Sequence, residues 1–462
     1  MKVLLVVYDN DSYIHWFPHG LGYIAAVLRR SGNEVTIYNK DKYHYPESHL
    51  TDYLNENEFD VIGLGIIAGY YQYREFLSIS WAINASKNKP FYILGGHGPS
   101  PEPDYFLKKA RADVVVIGEG EETIVELLDA LKGRRSLSDV KGIAYLQNGK
   151  LIATERRELI KNIDSIPHPA WDLFPMDYYS LIRRPHINNN ERCFPVISGR
   201  GCPFNCNFCY RMDKGIRLRS PESIIEEVAI LKKDYNISYI AFMDELLMSS
   251  QRRTIELCEA IIKANLNIKW SCNGRLNYAS PEVLKFMKQA GCVFIGYGIE
   301  CLDDNILKIM NKNLTVHQII KGIEATFAAG ISPGFNVIFG NIGEDTKTLE
   351  AGVEFLLKYD DHSELITIRP VTPYPGSPLY YYALDKGLLK GVADFYENKH
   401  INSDLLSVNF TKLSDDEFHK CLLDANTKLI ENYHKHKIGE HVQGFSKLYA
   451  KKDVLFRGLR QT

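Results

Sequence analysis

The sequence predicts an α/β fold: two successive sheets, then a helical tail, in a chain of 462 residues. Three observations carry that reading. In the first third, short continuous apolar runs alternate with amphipathic stretches, the pattern of a parallel sheet covered on both faces. After residue 190 the alternation resumes as six strand–helix units, enough for a partial barrel and too few for a closed eight. Beyond residue 390 the pattern reads as helix alone. The bounds that follow are 1–135 for the first sheet, 136–190 for a linker, 191–390 for the partial barrel and 391–462 for the helical region.

The first sheet opens with "KVLLVV" (2–7), apolar throughout. "LGYIAAVLRRSG" (21–32) sets Leu21, Ile24, Ala25 and Leu28 at helical spacing, with Gly32 as the stop. "EVTIYN" (34–39), "DVIGLGI" (60–66), "PFYILGG" (90–96) and "ADVVVIGEG" (112–120) return as strands, which makes a doubly wound, Rossmann-like sheet. Ligands of such sheets lie outside the C-terminal strand ends. Those ends carry "LGIIAGYY", "GGHGPSPEP" and "GEGEET". Gly65, Gly95, Gly96, His97, Gly118, Glu119 and Gly120 are therefore the candidate ligand-edge residues, because glycine lets backbone N–H groups approach a ligand closely. The same glycines also suit ordinary βα turns, and Glu121 and Glu122 suit a helix start.

The second sheet begins at "CFPVISGRG" (193–201). Its later strands are "YIAFMDE", "IKWSCNGR", "VFIGYGIE", "SPGFNVIFG" and "LITIRPVTPYPG", separated by helices such as "PESIIEEVAILKKDY" and "TVHQIIKGIEATFAAG". Strand ends facing one side should hold the functional side chains. In the tail, "SDDEFHKCLLDANTKLIENYHKH" has a capping serine and apolar periodicity, and "HKHKIGEH" reads as solvated polar surface.

Composition narrows the function classes. The chain is 45% hydrophobic and 24% charged with a formal net charge of −2, so no nucleic-acid partner is indicated. The N-terminus lacks a signal-peptide core and no apolar run is long enough for a membrane span. Nine cysteines form an odd, mostly scattered set, which points to a reducing cytoplasm rather than a disulfide framework.

Three of the nine cluster in "SGRGCPFNCNFCY" (198–210): Cys202, Cys206 and Cys209. A structural zinc wants four ligands in pairs, and no second pair follows at finger spacing. A disulfide leaves one thiol over. Unused thiols clustering by chance are a poor alternative. The remaining option is an iron–sulfur cluster held by three thiolates, leaving one iron open to a substrate.

Cys-x3-Cys-x2-Cys with aromatic Phe208 before the last cysteine resembles the signature of the radical S-adenosylmethionine (SAM) superfamily. That resemblance implies a [4Fe–4S] cluster whose open iron chelates SAM and, when reduced, cleaves it to a 5′-deoxyadenosyl radical. It also implies that Glu245 of "FMDE" serves the SAM amino group, Arg275 of "SCNGR" its carboxylate or ribose, and Glu300 of "GYGIE" its ribose. "FGNIGED" resembles the family's glycine-rich stretch near the adenine, with Asn341 and Ile342 departing from the usual pattern. Cys272, Cys292 and Cys301 read as core thiols.

A doubly wound domain, the linker "IDSIPHPAWDLFPMDYY" (163–179) and then the cysteine loop resemble the cobalamin-binding class of these enzymes, over residues 1 to about 390. The resemblance rests on "HGLGYIAAVLRRSGNEV" and "GGHGPSPEP", and implies cobalamin at the first sheet's edge, its upper face toward the barrel. In "FPHGLG" an Asp-x-His-x-x-Gly pattern is broken, since Phe17 stands where the aspartate would orient the imidazole. His19 is therefore expected to be a loop histidine and cobalt to have no protein nitrogen ligand, with His97 contacting the corrin or its nucleotide tail. Tyr374 and Tyr380–Tyr382 are expected near the barrel mouth, facing substrate, and the C-terminal region as a cap on the barrel. The class implies methylation of an unactivated carbon, with a cyclase or oxidative rearrangement as the rival, and an electron donor such as flavodoxin or ferredoxin. A regulatory module without turnover fits less well with an intact cysteine triad and Glu245. The substrate (peptide or protein side chain, antibiotic precursor, lipid or tetrapyrrole) is not legible, and no catalytic side chain is singled out.

Overall fold

The computed structural model describes residues 1–212 and 214–452. Its first sheet has seven strands in the order β2-β1-β3-β4-β5-β6-β7. These are β1 (Lys2–Val7), β2 (Glu34–Asn39), β3 (Val61–Gly65), β4 (Phe91–Gly95), β5 (Val114–Val116), β6 (Ile143–Gln147) and β7 (Lys150–Ala153). The first five pair in parallel, and strand order reverses at β1, the kind of switch point at which ligands of such sheets bind. β6 and β7 extend the edge antiparallel, in a stretch read from sequence as linker. Their alternation is short and half exposed, so no apolar run announced them.

The second sheet has six strands, all parallel, in the order β15-β14-β13-β12-β11-β8. Here β8 is Cys193–Val196, β11 Tyr239–Phe242, β12 Lys269–Gly274, β13 Cys292–Glu300, β14 Ser332–Phe339 and β15 Arg369–Pro370. The stretch read as one first strand divides. After β8 the chain leaves the barrel, and β9 (Gly199–Cys202) pairs antiparallel with β10 (Gly215–Leu218), making the stem of the cysteine loop. Barrel helices start where Ser220, Ser250 and Ser280 accept backbone N–H bonds from Ser223, Arg253 and Val283, with Pro221 and Pro281 in the first turn, where a missing N–H costs nothing. The thiols of Cys272, Cys292 and Cys301 are buried in the barrel core.

The C-terminal region corrects two expectations. Residues 378–408 pack on the first sheet: Tyr380, Leu389, Phe395 and Tyr396 share a core with Tyr73, Phe76 and Phe106. Tyr380 is buried and donates its hydroxyl to Glu102 at 3.0 Å, Tyr374 lies against His400, and Tyr381 and Tyr382 face solvent. None of these tyrosines lines the barrel cavity. The final helix, Asp415–Lys451, is 37 residues long, about 55 Å. It packs Phe418, Leu422, Ala425 and Leu429 into the barrel core, with Phe418 stacked on Phe339, flanking the barrel without entering its cavity. No described helix is long and apolar enough to cross a membrane.

Candidate active site at the cysteine loop

The cysteine loop is pinned by two side chains, Asp244 and Asn341, and by the backbone of Met310 and Leu379. Asp244, just past β11, accepts the backbone N–H of Ser198 at 2.6 Å, that of Gly199 at 2.7 Å and the Ser198 hydroxyl at 2.5 Å. Burial pushes its carboxyl up to about 6, and these three bonds oppose the rise. Gly201 has φ +83°, and a Cβ there would sit 2.4 Å from the Gly215 carbonyl oxygen, so the stem needs glycine. Asn207 donates its N–H to the Met310 carbonyl and accepts the Leu379 N–H. Its side-chain amide pairs reciprocally with Asn341 at 2.9 and 3.0 Å. Asn341, the residue that departs from the family pattern, thus ties the end of β14 to the loop.

Cys202, Cys206 and Cys209 carry no disulfide. They share a cavity of about 550 Å³ with Phe208, Glu245, Arg275 and Glu300. Among the described residues no three His, Cys, Asp or Glu side chains gather to grip a single ion. The Arg275 guanidinium lies 3.6 Å from the centroid of the Phe204 ring, donates to the Asn313 carbonyl at 3.0 Å, and keeps a buried Nε without acceptor. Burial lowers its pKa, with the thiols of Cys206 and Cys202 opposing. Burial raises the pKa of Cys202 and pushes Cys209 up to about 12; thiolates here need a positive partner.

Glu300 closes the opposite wall. It sits at φ +71°, beside a register shift in the β13–β14 pairing, a backbone state that a side chain of this kind seldom adopts. Its carboxylate accepts from Lys312 Nζ at 2.8 Å and Asn336 Nδ2 at 3.3 Å. Lys312 also stands 5.9 Å from the Phe208 ring centroid.

The first sheet's C-terminal edge faces this loop. Tyr210, next to Cys209, sits edge-on to His97 at 6.0 Å, and Ser100 hydrogen-bonds the Met212 sulfur at 3.5 Å. The sequence-selected edge residues separate here. A Cβ at Gly118 would meet nothing within 4 Å, and those at Gly65 and Gly95 only a distant side chain; these positions front open space. Gly96 has φ +98° and its Cβ would strike the Ile66 carbonyl, while a Cβ at Gly120 would strike Ile24. These two glycines serve turn and packing. Glu119 faces the barrel domain, accepting from Arg200 and Arg217 at 2.7 Å each; burial works against its charge, but Arg217 and Arg200 hold its carboxyl below the ordinary value. Arg200 also bonds Glu121 at 2.5 Å. His19 is not in a loop: it starts the helix His19–Arg30, its ring bonded to the Pro195 carbonyl at 3.1 Å, and burial pushes it down to about 4.

Sequence reasoning passed over Asp244, Asn207, Lys312 and Tyr210. Asp244 was within reach, since it adjoins Glu245 in "FMDE", but its partners lie 45 residues away and only the fold joins them.

Comparison with known proteins extends the same picture. Residues 5–128 match the B12 binding domain and residues 196–356 the Radical SAM superfamily. An uncharacterized methyltransferase of Pyrococcus horikoshii is 32% identical over 84% of this chain and 84% of its own length. The anaerobic magnesium-protoporphyrin IX monomethyl ester cyclase of Rubrivivax gelatinosus is 27% identical over 80% of this chain and 67% of its own. The radical SAM methyltransferase TsrM of Kitasatospora setae, solved with cobalamin and a [4Fe–4S] cluster, superposes with a TM-score of 0.72 over 92% of this chain and 88% of its own, at 16% identity, a likeness of fold. The chain belongs to the cobalamin-binding radical SAM enzymes, whose cofactors are a [4Fe–4S] cluster, SAM and cobalamin.

Proposed function

We propose that this enzyme transfers a methyl group from SAM, by way of cobalamin, to an unactivated carbon of its substrate. The observation that carries the reading is the approach of the first sheet's open glycine edge to the cysteine loop through Tyr210 and His97, which sets the two cofactor sites against one another. The 32% identical relative, itself called a methyltransferase, supports it.

The residues fit the cofactors. Cys202, Cys206 and Cys209 supply three thiolates and leave a fourth iron position for SAM. In this reading Glu245 receives the amino group, Arg275 with its unsatisfied Nε the carboxylate, and Glu300 the ribose; their shared cavity with the three cysteines supports it, and Lys312 and Asn336 hold Glu300. Gly65, Gly95 and Gly118 leave room for the corrin along the strand ends. Together the bound cofactors supply methyl-group transfer and hydrogen abstraction, which carbon without nucleophilic character requires. Asp244 and Asn207 keep the loop from shifting as SAM binds. A one-electron donor protein is required, as for the radical SAM family.

The cyclase relative supports a second reading, oxidative ring closure without net methylation. SAM carrying a deuterated methyl group separates the two. Methylation puts label into the product and forms S-adenosylhomocysteine and 5′-deoxyadenosine in about equal amounts; cyclisation leaves the product unlabelled.

A further inference from the structure

The cavity beneath the cysteine loop continues down the inside of the partial barrel. Phe294 and Glu300 both line it and stand six residues apart on β13, roughly 20 Å along a strand. Glycine at 296, 298 and 334 lines it between them; a Cβ at Gly334 would lie 2.3 Å from the Phe294 ring and 2.8 Å from a Glu364 carboxyl oxygen. At this far end sit two ionisable side chains with no part in the site above, Arg184 and Glu364. Arg184 precedes β8 and Glu364 precedes β15, the two edge strands of the sheet, so segments from both edges converge there.

Arg184 makes no ion pair among the described residues, although the Glu364 carboxyl lines the same end of the cavity. Its guanidinium lies 5.7 Å from the Trp16 ring centroid and 5.5 Å from that of Phe294. Its Nε is buried with no acceptor. The segment is fixed, since Tyr239 donates its hydroxyl to the Pro185 carbonyl at 3.1 Å. Burial raises the pKa of Glu364, and the charge of Arg184 opposes the rise. A buried N–H left unpaired is completed by an added acceptor, and arginine's fork suits carboxylate and phosphate.

We propose that Arg184 anchors an anionic group of the substrate, a carboxylate or a phosphate, at the base of the barrel cavity, with Glu364 beside it accepting or sharing a proton with a neighbouring polar group. The assignment rests on the reading that this cavity receives the substrate. SAM held at the cysteine loop leaves this end free, given the length of β13.

The test uses the full chain with cluster and cobalamin loaded under anaerobic conditions, and probes carrying one aromatic ring: benzoate, phenylphosphate and benzylamine. Calorimetry should show benzoate or phenylphosphate binding and no benzylamine binding, with the better anion naming carboxylate or phosphate as the group. Arg184→Met should weaken the anion about tenfold or more and Arg184→Lys by less, while SAM binding, read from the change in the cluster's EPR signal, stays as in wild type. Equal anion affinity in Arg184→Met, equal binding of benzylamine, or no binding of either anion to the wild type overturns the proposal. Parallel loss of SAM binding overturns it too, by returning Arg184 to the SAM site. A failure of methyl labelling would sink the methylation reading and leave the anion result standing.

Discussion

The cysteine loop and the glycine edge of the first sheet face each other, yet they are built in opposite ways. The loop is fixed by directed polar bonds, from distant segments through Asp244 on Ser198 and Gly199 and Asn341 on Asn207, and within itself through Arg211 on the Cys202 carbonyl at 3.0 Å. The edge presents bare backbone, with Gly65, Gly95 and Gly118 leaving space and few side chains reaching into it. A small, charged, open-shell centre needs ligands held at fixed distances, whereas a broad flat cofactor needs clearance and backbone donors. Between them, Glu119, Glu121, Arg200 and Arg217 set the spacing of the two sheets.

If the loop is the rigid partner, breaking it should have the largest effect. Replacing Cys202, Cys206 and Cys209 by alanine should abolish the absorption near ~400 nm that cluster reconstitution gives and all SAM cleavage, while cobalamin binding persists. Four irons retained in the triple variant would contradict the cluster assignment.

Asp244 is the next strongest lever. Asp244→Ala leaves two buried N–H groups and a hydroxyl without their acceptor, at roughly 1–3 kcal/mol each, and should cut cluster loading and thermal stability together. The pH dependence has a definite sign. The folded carboxyl titrates at about 6 against about 4 unfolded, so the folded state holds more protons between these values and stability falls as pH rises from 4 to 6. Asp244→Asn should flatten that fall in denaturant titrations; an unchanged slope would remove Asp244 as its source.

The spacing between the regions is a smaller target. Arg200→Met leaves buried Glu121 without its partner and Glu119 with Arg217 alone, costing roughly 3 kcal/mol. It should loosen the domains, seen as faster proteolysis of the 154–192 segment and weaker retention of cobalamin, with cluster iron content unchanged. Loss of iron as well would mean that the two regions are not independently built.

His19 should matter least to the cofactor. Its ring is committed to the Pro195 carbonyl, so EPR of the cob(II)alamin state should lack nitrogen splitting from the protein and His19→Ala should leave the spectrum as it was. Protein-derived splitting that disappears in His19→Ala would assign the ligand.

The same contrast explains what the sequence disclosed. Cysteine spacing is local, so the loop was legible, as were both sheets, whose buried strands are continuous apolar runs. The glycine edge was legible as a set of strand ends, but the role of each glycine was not: Gly96 and Gly118 look alike in sequence, and only the position of the Ile66 carbonyl tells them apart. Glu119 looked like a ligand-edge acid because its arginines, 81 and 98 residues later, carry no local mark. His19, in its broken ligand pattern, reads as a loop histidine, yet Pro18 before it begins a helix. Strands β6 and β7 and the packing of residues 378–408 onto the first sheet were hidden because strands of five and four residues are too short to show their alternation and short aromatic clusters have no period to read.

The most direct test of methyl transfer gives the loaded, reduced enzyme SAM with a deuterated methyl group and the small-molecule and peptide pool of its native host. The account predicts one product carrying the intact labelled methyl group on carbon, with S-adenosylhomocysteine and 5′-deoxyadenosine formed in near-equal amounts. A transformed product without label, accompanied by 5′-deoxyadenosine alone, would contradict it and leave ring closure or rearrangement as the reaction.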